Sequence, residues 1–202
     1  DLPGEEVGIL PNVKNWSKLS ITRIPMGQGV SVTSLQMLGL LSCIANDGAL
    51  MRPLIIDRIV SPRGDIVARP EPLELGRPIT PETARLMREL LVRVTEEGGT
   101  GTKGRVDGYT VAGKTGSAQK VVNGQYSDVA HVASFMGFLP AEKPEIAIMV
   151  IVDEPHPLHT GGVVAAPVFH EIAEKAVHYL DIPPLAETEM WRFGDEIPGW
   201  ET

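Results

Sequence analysis

The chain has 202 residues, 43% of them hydrophobic and 22% charged, enough for one ordinary domain with a core of its own. A net charge of -8 argues against a nucleic-acid partner, whose phosphates require a basic face, and the single cysteine, Cys43, excludes an intrachain disulfide or a cysteine-rich metal site. The longest apolar run, 146–152, is too short to span a bilayer, and the acidic start "DLPGEEVGIL" lacks the apolar stretch of a signal peptide.

Residues 1–30 read as irregular, punctuated by Pro3, Gly4, Pro11, Pro25, Gly27 and Gly29. A helix follows in "SVTSLQMLGLLSCIANDG". Ser31 or Thr33 caps it, Leu35, Leu38, Leu41 and Ile44 or Ala45 recur at helical spacing, and Asp47-Gly48 stops it. Cys43 falls in this apolar pattern, which predicts a buried, inert thiol. "LIIDRIV", the turn "SPRG" and "DIVAR" read as a small hairpin over 54–69.

A second helix starts at Thr80 with Pro81 in its first position, places Ala84, Met87, Leu90, Leu91 and Val94 on one face, and stops at Gly98-Gly99. "GGTGTKGRVDG" reads as a flexible glycine-rich loop. Three strand-like runs come next, 109–117, 132–139 and 145–152, separated by turn signals at Asn123-Gly124 and 140–144. Such short connections predict adjacent antiparallel strands. A last helix over 166–180 draws its apolar face from Val168, Phe169, Ile172, Ala173, Ala176 and Val177, and Pro183-Pro184 ends it. The tail, 184–202, is acidic and carries two Trp and one Phe.

"GYTVAGKTGSAQK", 108–120, fits two patterns. Gly108, Gly113, Lys114 and Thr115 match the G-x-x-x-x-G-K-[ST] of a phosphate-cradling loop, and 146–152 followed by Asp153-Glu154 resembles the acidic strand such proteins use for Mg2+. The context is wrong, however. A phosphate loop follows a buried strand and opens a helix, whereas here "TGTKGRVD" precedes and Asn123-Gly124 soon follows. Read as a strand, the segment projects Thr115 and Ser117 on one face and Lys114 on the other, with Gly116 permitting close approach. Two hydroxyls beside an ammonium on an edge strand suit a peptide-like ligand with a carboxylate.

Here a resemblance becomes specific. "DLPGEEVGILP", "MGQGVSVTSLQMLGLLSCIANDGALMRP", "GYTVAGKTGSAQK", "SFMGFLPAEKPEIAIMVIVDEP" and "GGVVAAPVFHEIAEKA" occur in the order found in class B penicillin-binding proteins. The chain resembles these D,D-transpeptidases of bacterial cell-wall synthesis, nearest the division type, over nearly everything from Asp1 to Pro183. The resemblance implies an α/β fold, an antiparallel sheet flanked by helices as in serine β-lactamases. Residues 1–183 then form the C-terminal part of a transpeptidase domain and 184–202 a tail.

In that family the nucleophilic Ser and its Lys lie in S-x-x-K at a helix start, with a further S-x-N; both precede the segment resembling "DLPGEE". The one S-x-x-K here, Ser117 to Lys120, directly follows the K-T-G strand, where an offset of three puts the two side chains on opposite faces. It cannot act as the Ser-Lys pair, so this chain alone is expected to be inactive.

The roles implied for the remaining residues follow the family. Lys114 supplies positive charge, Thr115 and Ser117 bind the substrate carboxylate beside Gly116, and the Ser117 amide is one oxyanion donor. Ser117 stands where many relatives have Thr, and the hydroxyl is retained. The implied ligands are a stem peptide ending in D-Ala-D-Ala and β-lactams, and the implied partner is the N-terminal half of the same domain. No cofactor or metal is implied, and the expected location is the outer face of the bacterial cytoplasmic membrane, with an anchor outside these residues.

Several residues have plainer readings. Asp153, Glu154, His156 and His159 in "DEPHPLH" lie in a proline-broken loop that fixes no three metal ligands. His131, His170 and His178 carry no partner pattern. Gly161-Gly162 suits chain reversal and close helix-sheet packing. A β-lactam-sensing or structural module without turnover is the alternative function.

Overall fold

The computed structural model describes residues 4–185. Its first segment is irregular, as its Pro and Gly content dictates: 3-10 turns at Val13–Asn15 and Ile24–Met26 flank a single helical turn, α1, Ser20–Arg23. An isolated bridge between Ile9 and Ser31 ties this segment to the start of the next helix.

Helix α2, Ser34–Ala45, begins with a capping box, in which the Thr33 hydroxyl accepts from the Gln36 amide and the Gln36 side chain accepts from the Thr33 amide. The same Gln36 side chain donates to the Val7 carbonyl at 3.2 Å, joining the first segment to the cap. Asp47 and Gly48 end the helix at positive φ, and a Cβ at Gly48 would collide with the Ile79 carbonyl.

The expected hairpin over 54–69 is smaller than its pattern. Only β2, Ile59–Val60, and β3, Ile66–Ala68, pair around the Ser61 turn; Leu54, Ile55 and Ile56 are exposed and add no rungs to the ladder. The chain pairs a second time where sequence reading places no strands: β1, Leu50–Met51, with β4, Glu74–Gly76.

Helix α3, Pro81–Val92, is capped by Thr80 as predicted but stops six residues before Gly98. The Thr95 hydroxyl donates to the Val111 carbonyl at 2.7 Å and lies 3.0 Å from the Val92 carbonyl, turning the chain toward the sheet. Arg88 on α3 donates to the Ala45 carbonyl and, at 2.7 Å, to Asp47, fixing α3 against the end of α2.

The sheet has the order β5-β6-β7, all antiparallel, from Ala112–Val122, Gln125–Leu139 and Ile146–Asp153. The first strand starts three residues later than its β-propensity suggests, since Val106 and Tyr109 form a bridge of their own. β5 and β6 run on to the loop between them because Asn123 and Gly124 both take positive φ, the turn that matches strand twist. Alternation sorts the side chains. Phe135, Leu139 and Val150 face helix α5, Ala166–Tyr179, and bury Phe169, Ala173 and Val177. Ala112 and Phe138 face the other way, onto Leu41 and Ile44 of α2 and Leu91 and Val92 of α3. The result is the expected α/β layering, a sheet with helices on both faces. Only Pro184 and Leu185 of the tail are among the described residues.

Candidate active site

Strand β5 is the sheet edge among the described residues, so Lys114, Thr115, Gly116 and Ser117 have strand partners on one side alone. Register places Lys114 opposite Met136 and Thr115 opposite Phe135, which puts Lys114 on the α2–α3 face and Thr115 and Ser117 on the α5 face. Lys114 is exposed, and its Nζ folds back to donate to the Thr115 carbonyl at 2.8 Å. Gly116 has a second reason to lack a side chain: a Cβ there would collide with Ser134 Oγ on the neighbouring strand.

The two hydroxyls are held from behind. Thr115 Oγ1 lies 2.9 Å from Thr100 Oγ1, and Ser117 Oγ accepts the Gly161 amide at 3.1 Å. Gly161 opens a short helix, α4, Gly161–Val164, pressed on the strand pair; a Cβ at Gly161 would strike the Ser134 and Gly116 carbonyls. Gly162 has the same restriction against the Thr100 carbonyl. The expected role of Gly161-Gly162 in close packing is met by these contacts.

The glycine-rich loop is packed rather than flexible, a correction to the sequence reading. A Cβ at Gly101 would lie 2.6 Å from the Phe135 ring, and one at Gly104 2.8 Å from it. Both glycines are buried, and Gly101 N donates to the Val94 carbonyl at 2.8 Å. The glycines make room for an aromatic ring. Thr100, carried by this loop into contact with Thr115, escapes sequence reading because its partner is set by that packing and by no local pattern.

The register shifts between Gln119 and Val121, so Lys120 lies at an irregularity of β5, and its side chain is engaged away from Ser117. Lys120 Nζ donates to Asp153 at 3.0 and 3.1 Å and to Glu154 at 2.8 Å. The hydrogen bond to Glu154, then that to Asp153, raises the Lys120 pKa, so the ammonium stays charged at neutral pH and cannot serve as a base. Asp153 and Glu154, the acids of the nucleotide-binding pattern, are thereby engaged with a lysine. Lys114 sits mid-strand with no helix after it, which removes the phosphate-loop reading.

Three of the histidines have contacts that no local pattern announces. His131 is buried, alternating with Ala133 and Phe135 on the inner face, and its ring stacks on His159 with centroids 4.1 Å apart. His170 Nδ1 contacts the Arg105 carbonyl. Among the described residues no group of three or more His, Cys, Asp or Glu is placed to hold a metal. Cys43 is buried, its thiol within 3.2 Å of the Gly48 carbonyl, and burial raises its pKa against a smaller opposing effect of Arg77.

The penicillin binding protein transpeptidase domain matches residues 1–174. The chain is 38% identical over 183 residues to the probable peptidoglycan D,D-transpeptidase PenA of Neisseria flavescens, covering 90% of this chain and 43% of that protein. Over 186 residues it is 37% identical to stage V sporulation protein D of Bacillus subtilis, covering 91% and 29% respectively. Penicillin binding protein 3 of Mycobacterium tuberculosis, solved in complex with ampicillin, superposes with a TM-score of 0.81 at 36% identity, covering 90% of this chain and 42% of that one. The chain thus spans less than half the length of these relatives. With a family match across most of its residues and a K-T-G strand on the edge of an antiparallel sheet, the chain belongs to the penicillin-binding protein transpeptidase domain family, of which it forms a part.

Proposed function

We propose that this chain forms the Lys-Thr-Gly side of the acyl-transfer site of a peptidoglycan D,D-transpeptidase of the division type. The observation that carries the reading is the edge strand β5, with Lys114 exposed and the Thr115 and Ser117 hydroxyls each held by one neighbour. A stem peptide ending in D-Ala-D-Ala, or a β-lactam, lies along this edge. Thr115 and Ser117 bind its carboxylate beside Gly116, and Lys114 supplies the compensating charge. The Ser117 amide is one of two donors to the oxyanion formed when the serine nucleophile attacks, and losing one such donor costs about 3–4 kcal/mol of transition-state stabilisation.

The nucleophile, its lysine base and the second oxyanion donor belong to the N-terminal half of the same domain, which packs on the face that Lys114 shares. Its place of work is the outer face of the cytoplasmic membrane. No helix among the described residues is long and apolar enough to cross a membrane.

Fluorescent penicillin labelling of the full-length protein tests the reading. The wild type is expected to label, and Lys114→Ala to label far more slowly with an unchanged melting temperature. Equal labelling of both would remove Lys114 from the site. The isolated chain is expected to give no covalent adduct by mass spectrometry. An adduct of one opened β-lactam mapped to Ser117 would make that residue the nucleophile and overturn the assignment.

A further inference from the structure

We infer that Thr100 is a positioning residue for the carboxylate site. Together with the Gly161 amide, it fixes the direction in which the Thr115 and Ser117 hydroxyls donate. The inference rests on the proposed carboxylate-binding role of those two hydroxyls.

Each hydroxyl has one proton to give and can accept on its lone pairs. A carboxylate only accepts. If Thr115 binds one, its single proton goes to the ligand, and the 2.9 Å contact with Thr100 must run from Thr100 to Thr115. Ser117 is in the same state by a different donor: its oxygen already accepts the Gly161 N–H, which leaves its proton for the ligand. Two donors behind the strand therefore turn two rotatable hydroxyls into two donors at its edge. A hydroxyl oriented before the ligand arrives avoids the ordering cost of being oriented by it.

Thr100 is well held for this task. The Gly101 amide, one residue on, donates to the Val94 carbonyl, and Gly101 and Gly104 rest on the ring of Phe135. Phe135 is also the register partner of Thr115 on the neighbouring strand. From the other side, Gly162 packs on the Thr100 carbonyl so closely that a Cβ would not fit.

The test uses the full-length protein and the acylation rates of benzylpenicillin and its methyl ester, which keeps the reactive ring and loses the anion. Thr100→Val should slow benzylpenicillin by about tenfold, the effect of one hydrogen bond serving a charged group, and leave the rate with the ester within about twofold. Thr100→Ser, which restores the hydroxyl, should recover the wild-type rate. In a Thr115→Val background, Thr100→Val should change nothing further, because it acts through Thr115.

Equal slowing of acid and ester would make Thr100 a structural residue and overturn the inference, as would an additive double variant. Should Thr100→Val not fold, Thr100→Ala takes its place in the same acid-against-ester comparison, with the same outcomes for and against. Slow Thr115→Val and Lys114→Ala beside a fast Thr100→Val would overturn the positioning role alone. Full rates in Thr115→Val and Lys114→Ala would overturn the carboxylate site and the inference with it.

Discussion

In the β5–β7 sheet and the helix across it, the large apolar side chains are inside: Phe135, Phe138, Leu139 and Phe169 have no exposed surface. In residues 4–26 the same class of side chain is outside, with Val7, Leu10, Val13 and Met26 each 70–90% exposed. Both regions carry large apolar side chains, although the sheet and its helix hold the larger share. What separates them is whether a partner lies within the chain. The sheet finds α2, α3 and α5, whereas the first segment is tied to the rest by the Gln36 cap and the Ser31 bridge. Exposed apolar surface on this scale marks an interface.

Phe135 is the side chain on which the buried region depends most. Phe135→Ala removes the ring that Gly101, Gly104 and Gly113 enclose and that Phe169 meets edge-on at 4.8 Å. A loss of about 3–5 kcal/mol is expected from urea unfolding of the full-length protein. A loss below about 1 kcal/mol, on the order of a surface substitution, would mean the loop and helix do not depend on the ring. Gly101→Ala approaches the same contact from the opposite direction. Its methyl group would sit 2.6 Å from Phe135, and overpacking of this kind costs about 1–3 kcal/mol. A neutral result in the same unfolding experiment would restore the flexible-loop reading.

That loop shows where sequence reading stops. Period-two alternation and the Asn123-Gly124 turn are enough to locate the three strands and to assign Lys114 and Ser117 to opposite faces. Capping residues are enough to start α2 and α3. Glycines are ambiguous, however: "GGTGTKG" has the composition of a mobile linker, and only the ring of Phe135, far along the chain, shows that the missing side chains are an accommodation. The pairing of Leu50 with Gly76 and the stacking of His131 on His159 are of the same kind, set by tertiary contact and leaving no local signal.

The exposed segment predicts a smaller effect. Val13→Ser should change the stability of the isolated chain by no more than about 0.5 kcal/mol, since Val13 has little burial to lose. The same substitution should weaken association with the rest of the domain, measured as recovery of penicillin labelling on mixing the two parts. A stability loss comparable to that of Phe135→Ala would show that 4–26 has a core of its own, and the contrast would fail.

The smallest effect is expected where the two regimes meet, at the outer ends of β5 and β6. Val121, Val122, Tyr126 and Val129 are exposed there, and Lys120 reaches past β6 to Asp153 and Glu154. Lys120→Met deletes that link and leaves two carboxylates side by side, so a slightly lower melting temperature is expected at pH 7. The pH dependence follows from the direction of the shift. The folded Lys120 pKa lies above its unfolded value of about 10.4, so the stabilisation is complete below that pH and disappears as pH rises through the folded value. Wild type and variant should therefore differ by a constant amount from pH 7 to about 9 and converge in more alkaline solution. Added salt should narrow the gap, because the three groups are partly exposed to solvent. A gap that persists unchanged above the folded pKa would mean that the lysine stem, packed along the strand, holds the hairpin and its charge does not.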